Sequence, residues 1–220
     1  MSELNLHFLN AQNRLTSDCG WLRRALEVTF AKASQQMLLP SLDVVIKAGK
    51  AVIPEKGHLG YCPESGLICI TVDPHNSALR QNNAQSLERM FAHELHHAAR
   101  WACVGYGTTP GGAMVSEGLA GHFALEVFGG GPEPWESLSD SDIKPWLPFL
   151  EAHWSKEDYD HSALFYGSGQ LPRWLGYSAG FRLISRYIAA NPGKRASLLV
   201  GEPAEIFRPF LLQEAEGLTF

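Results

Sequence analysis

His93, Glu94 and His97 stand in the pattern H-E-x-x-H, within Phe91-Ala92-His93-Glu94-Leu95-His96-His97-Ala98-Ala99-Arg100. On a helix, residues four apart share a face, so His93 and His97 present two imidazoles to one metal ion, while Glu94 projects beside them, about 100° round the axis. Two ligands hold zinc poorly, and a catalytic zinc takes three protein ligands, leaving a fourth position for water or substrate. Glu117, twenty residues past His97 in Ser116-Glu117-Gly118-Leu119-Ala120, is the candidate third ligand. The chemistry such a set performs is hydrolysis: zinc acidifies a bound water and the neighbouring carboxylate takes its proton. The competing reading is a pair of core histidines satisfied by Glu88 or Glu117 without metal. His96 faces away from the ligand side, as a second layer around the site or a surface residue. Cys103 reads as a small buried hydrophobe and His122 as a partly exposed helix residue.

These residues need helices to present them. From Ala84 to Cys103, apolar residues at Leu87, Met90, Phe91, Leu95, Ala98, Ala99 and Ala102 recur with helical period and no interior proline or glycine. Gly105, Gly107, Pro110, Gly111 and Gly112 predict a loop, after which Ala113 to Phe128 resumes helical spacing and carries Glu117 back. Upstream, Leu4 to Leu9 alternates as a strand, Asp18 opens a helix through about Leu38, and Leu42 to Ala48 and Gly66 to Val72 read as strands. Between them lies a turn-rich loop with a short edge strand around Leu59 to Cys62. Gly129-Gly130-Gly131-Pro132 predicts the joint to a helical C-terminal lobe, whose Trp135, Trp146, Phe149, Trp154, Phe165, Tyr166 and Trp174 serve as core or as a wall for apolar substrate side chains. Tyr177 to Ala190 is a helix, followed by short helices around Arg195 to Val200 and Ala204 to Leu212. The expectation is one α+β domain, residues 1–220, with a small N-terminal sheet and the two site helices over about 1–128 and a mainly helical lobe over about 129–220.

Composition narrows the function classes. Hydrophobic residues make up 45% and charged ones 19%, a globular mixture that argues against disorder and coiled coil. A formal charge of -5, with no basic run, makes nucleic acid an unexpected partner. No apolar stretch reaches membrane-spanning length and the first residues lack the pattern of an export signal, so the expected address is cytoplasmic. Cys19, Cys62, Cys69 and Cys103 form no C-x-x-C pair and suit reduced thiols, with a Cys62–Cys69 hairpin bridge as the minority reading. Oligomeric state leaves no trace in the sequence.

The H-E-x-x-H run and the downstream Ser116-Glu117-Gly118-Leu119-Ala120 resemble the gluzincin metallopeptidases. With Leu171-Pro172-Arg173-Trp174-Leu175-Gly176-Tyr177 they are similar to a bacterial family of predicted zinc-dependent proteases of poorly defined role, over residues 40 to 210. The resemblance implies a zincin-like fold, Zn2+ held by His93, His97 and Glu117, Glu94 as general base, and peptides or proteins as substrate. It also implies an oxyanion donor from the C-terminal lobe, for which Tyr177 between Gly176 and Gly180 is the best-placed candidate, although Tyr177 also heads the apolar stripe of its own helix and reads equally as packing; His161, Tyr166 and Arg173 are weaker candidates, with binding of a substrate carboxylate as their other reading. Gly60 and Tyr61 are candidates for a sheet edge on which substrate adds as a strand. One position departs: thermolysin-type enzymes carry an aspartate four residues after the glutamate ligand, and here stands Gly121, so the support for the metal ligands must come from elsewhere. The alternatives are another zinc hydrolase such as an aminopeptidase, or a non-catalytic binding protein on a zincin fold.

Overall fold

Alternating apolar residues build the sheet. In the computed structural model, which describes residues 2–213, β1 (Leu4–Leu9), β2 (Leu42–Ala48), β3 (His58–Glu64) and β4 (Leu67–Val72) join in the order β1-β2-β4-β3. β1, β2 and β4 are parallel, and β3 pairs antiparallel with β4 at the edge of the sheet. Leu42, Val44 and Ile46 of β2 and Ile68, Ile70 and Val72 of β4 are closed to solvent. A period of two therefore sends one face of each strand inward. The edge strand extends over seven residues, longer than the four anticipated, because the β3–β4 pairing continues past a bulge between Tyr61 and Glu64.

α1 (Cys19–Ser34) makes the crossover between β1 and β2, and packs against α3 (Ser86–Trp101), which lies along β3 and β4; the short α2 (Ser77–Gln81) precedes it. α3 begins at Ser86, not Ala84, because Ala84 and Gln85 take left-handed backbone at φ 52 and 57. The Asn82 side chain caps the first turn, accepting from the Leu87 amide at 2.9 Å and donating to Glu88 at 2.7 Å.

The chain divides between Ala102 and Cys103 into two compact units, so the joint expected after Phe128 falls inside the second. That unit contains α4 (Pro110–Phe128), α5 (Asp140–Ile143), α6 (Leu147–Ala152), α7 (His161–Tyr166) and α8 (Leu175–Ala190). α4 starts three residues earlier than its glycines suggest. The Thr109 hydroxyl accepts from the Gly112 amide at 3.1 Å and Pro110 occupies the first turn, where a missing N–H costs nothing. Gly111 is required there because the Trp154 ring lies over it, leaving a Cβ only 2.3 Å from the indole.

α4 and α8 are the most extensively packed pair of the second unit, and they meet backbone to backbone. A Cβ on Gly118 would sit 2.3 Å from the Gly180 carbonyl oxygen, and one on Gly180 2.1 Å from that of Met114. Only glycine fits at either position. The tail forms single 3-10 turns at Ala196–Leu198, Ala204–Ile206 and Arg208–Phe210 in place of the one or two short helices expected, since Pro203 and Pro209 interrupt the amide ladder. Among the described residues no helix is long and apolar enough to cross a membrane. The four cysteines are free thiols, and Cys103 is exposed, against its expected burial, because it lies past the end of α3 in a surface turn.

Candidate metal centre

Helical spacing brings His93 and His97 together as the sequence requires. Their Nε2 atoms lie 2.9 Å apart, with the rings edge to face at 82° and centroids 4.6 Å apart. His97 is buried and His93 half-buried, and Glu94 between them is only 7% exposed. β3 runs directly over Glu94. A Cβ on Gly60 would fall 2.3 Å from Met90 Sδ and 2.6 Å from Glu94 Cγ, so the glycine makes the space in which the carboxylate sits. Two hydrogen bonds fix β3 on α3 on either side of that point: His58 Nε2 with Ser86 Oγ at 2.9 Å, and Trp101 Nε1 donating to the Cys62 carbonyl at 3.1 Å. Cys62 faces the same layer. Burial pushes its thiol pKa up, and the nearby Glu94 carboxylate adds to the shift.

Glu117 is buried on α4. Tyr106 Oη donates to Glu117 Oε1 at 2.5 Å. Burial, and then the Glu117 charge, hold the Tyr106 phenol well above its ordinary pKa, so it remains a donor. Tyr159 is pushed up to about 12 by burial and, after it, by Glu117. His161, within 2.9 Å of the Tyr159 hydroxyl through Nδ1, is lowered by burial, with Glu117 and Asp160 opposing. The carboxylate of α4 thus lies in a setting of tyrosine and histidine side chains from the 103–109 loop, the 159–161 turn and α7.

His93, His97 and Glu117 each bring one ligand atom within 4.8 Å of the other two. Two ligands at about 2.1 Å from a tetrahedral zinc are roughly 3.4 Å apart, and the Nε2 atoms of His93 and His97, both on α3, lie within that span. Two imidazoles and a carboxylate are also a donor set that zinc favours.

The remaining candidates separate. His96 is fully buried in the core of α3, not at the surface. His122 stacks on Phe181 at 4.1 Å, with Nε2 3.0 Å from the Phe181 carbonyl and 2.9 Å from Ser185 Oγ; burial pushes its pKa down to about 4, so it is a neutral packing residue. Tyr177 is half-buried, its ring against Phe165 at 4.9 Å, and it contributes to the raised pKa of Tyr106. Gly176 and Gly180 serve packing against Phe165 and Met114. The exposed Arg173 guanidinium lies 4.3 Å from the Trp174 ring, and Tyr166 is 55% exposed.

Over Gly121 lies the carboxylate of Glu136, whose Oε1 is 2.2 Å from where a Cβ would be. Glu136 is 4% exposed and its Oε2 accepts from the Glu133 amide at 2.8 Å. A carboxylate therefore reaches this turn of α4 from fifteen residues downstream. Tyr106 and Tyr159, the side chains set near Glu117, carry no sequence pattern that singles them out; the nearest signal is Gly105-Tyr106-Gly107, a single tyrosine between glycines in the loop between α3 and α4.

Over residues 22–208 the chain matches the family described as predicted Zn-dependent protease. It is 27% identical over 143 residues to the uncharacterized protein YjaZ of Bacillus subtilis (strain 168), covering 58% of this chain and 51% of YjaZ. It is 26% identical over 141 residues to the uncharacterized protein YjfC of the same organism, covering 63% of this chain and 39% of YjfC. The chain spans about half the length, or less, of these curated relatives.

Proposed function

The chain belongs to this family of predicted Zn-dependent proteases, and on that premise we propose that it is a zinc-dependent peptidase in which His93, His97 and Glu117 hold the metal and Glu94 is the general base. The observation that carries the reading is the convergence of two imidazole Nε2 atoms at 2.9 Å beside a buried Glu94 for which β3 leaves room at Gly60. A structural metal site has no use for that carboxylate. Zinc, when bound, lowers the pKa of its water toward about 7 and polarises a carbonyl.

Glu94 takes the water proton and later delivers it to the leaving amine. The oxyanion that develops needs a donor from the protein, and Tyr177 is the residue proposed for it. β3 supplies the binding edge: its outer residues Leu59 and Tyr61 are 41% and 64% exposed, and an extended peptide paired there is held through main-chain bonds whatever its side chains. A cavity of about 210 Å³ walled by Phe149, Leu150, Leu164, Leu171 and Tyr159 has room for one apolar side chain.

The test is hydrolysis of a mixed peptide library by zinc-loaded protein, read by mass spectrometry. Cleavage beside apolar residues is expected; Glu94→Gln abolishes it with one zinc per chain retained, and Tyr177→Phe lowers kcat with zinc affinity unchanged. A Glu94→Gln protein that cuts as fast as the parent refutes the mechanism.

A further inference from the structure

We infer that Tyr106 is a positioning residue for the third metal ligand: its hydroxyl holds the Glu117 carboxylate in the orientation that binds zinc. This rests on the zinc reading above and adds to it the residue that makes Glu117 a competent ligand. A glutamate in mid-helix has three rotatable side-chain bonds, and each must be fixed before its oxygen can share an ion with two imidazoles. The Tyr106 hydroxyl does this through a short, charge-assisted bond of 2.5 Å to Oε1.

The loop that carries Tyr106 is built against the helix it serves. Ser116, the residue before Glu117, donates its hydroxyl to the Tyr106 carbonyl at 2.5 Å, so the tyrosine is tied at both ends to one turn of α4. Gly105 and Gly107 take φ 81 and 103, a left-handed path that a side chain would strain. Gly107 lies so close to the start of α4 that a Cβ would be 2.7 Å from Gly112 Cα, and Thr109 then caps that helix. An eleven-residue return from Tyr106 to Glu117 is thereby closed by contacts at the loop, the cap and the ligand turn. A tyrosine present only for packing needs neither the hydroxyl nor the tether.

The experiment measures the zinc dissociation constant by chelator competition for the parent, Tyr106→Phe, Glu117→Ala and the double variant. Tyr106→Phe keeps the ring and is expected to weaken zinc about 10- to 100-fold. Ser116→Ala, which loosens only the tether, is expected to weaken it less. In the Glu117→Ala background the change at Tyr106 makes no further difference, because the hydroxyl acts through that carboxylate. The inference is overturned if Tyr106→Phe binds zinc as the parent does, or if it weakens zinc equally with Glu117 absent. A parent that binds no zinc removes the peptidase reading and this inference together, whereas a zinc-binding parent with an indifferent Tyr106→Phe removes the inference alone.

Discussion

Gly118→Ala separates tertiary contact from helix propensity. Gly118 is a helical residue, and propensity alone makes alanine better there by up to about 1 kcal/mol. The added methyl carbon would lie 2.3 Å from the Gly180 carbonyl oxygen, 2.5 Å from its carbon and 2.8 Å from Ile184 Cγ1. Ordinary contacts begin near 3.4 Å, so α4 and α8 must part by on the order of 1 Å along the largest helix contact of their unit, and the obstacle is backbone that no rotamer change relieves. Overpacking of this kind costs about 1–3 kcal/mol and more where the main chain moves. With the propensity gain subtracted, the net loss is about 2 kcal/mol, or roughly 4–8 °C in Tm for a chain of this length. Gly20→Ala is the control, because that helical glycine has nothing within 4 Å of the new carbon. It should gain up to about 1 kcal/mol. Thermal unfolding of the metal-free proteins followed by circular dichroism decides the matter: a Gly118→Ala protein at least as stable as the parent would show that the backbones do not meet at this crossing.

Two further perturbations have calculable outcomes. In Gly60→Ala the new carbon meets the flexible ends of Met90 and Glu94, so stability should change by less than about 1 kcal/mol, while a base displaced by about 1 Å costs on the order of 100-fold in turnover. Zinc affinity unchanged with kcat sharply lower is the expected split, and undiminished kcat contradicts the placement of Glu94. His122 has its pKa lowered by burial from 6.5 to about 4, so the unfolded chain takes its proton first as pH falls. Its neutral form supports the fold fully above pH 6.5, and that support, up to about 3 kcal/mol, drains away between pH 6.5 and about 4. Urea unfolding at pH 7, 5.5 and 4.5 should show a shallower loss for His122→Gln than for the parent, and parallel curves would exclude the buried neutral imidazole.

The sequence discloses what lies on one helix. His93, Glu94 and His97 are spaced by the helical period, so their mutual placement follows from a single dihedral geometry, and the apolar stripe that sets α3 on β3 follows from the same period. The strands were equally plain, because Leu42, Val44 and Ile46 alternate with polar or half-buried neighbours. Tyr106 and Glu136 reach their positions through turns whose course depends on glycine φ angles and on a short capped 3-10 turn, and no periodicity records such a course. Glycines misled for a related reason. Gly111 reads as part of a loop and Gly180 as a flank of the candidate donor Tyr177, but both are helical residues, like Gly118, at which an indole or another backbone occupies the space of the missing side chain.

α4 supplies the final step, because it has no polar face. From Pro110 to Gly121 every residue is buried, so Glu117 is a carboxylate on a helix closed on all sides. Burial of an ionised carboxylate is costly unless the charge is paired or bound to a metal. The Tyr106 hydroxyl satisfies one oxygen as a neutral donor and leaves the charge in place. Tyr159 adds another polar group but no cation, and the His161 imidazole is held toward its neutral form by burial. A divalent ion shared with two imidazoles is one such compensation, and it is the one the zinc reading proposes for Glu117. On that reading, added zinc should slow amide hydrogen exchange first in α4 and the 103–109 loop, and unchanged exchange there would count against Glu117 as a ligand.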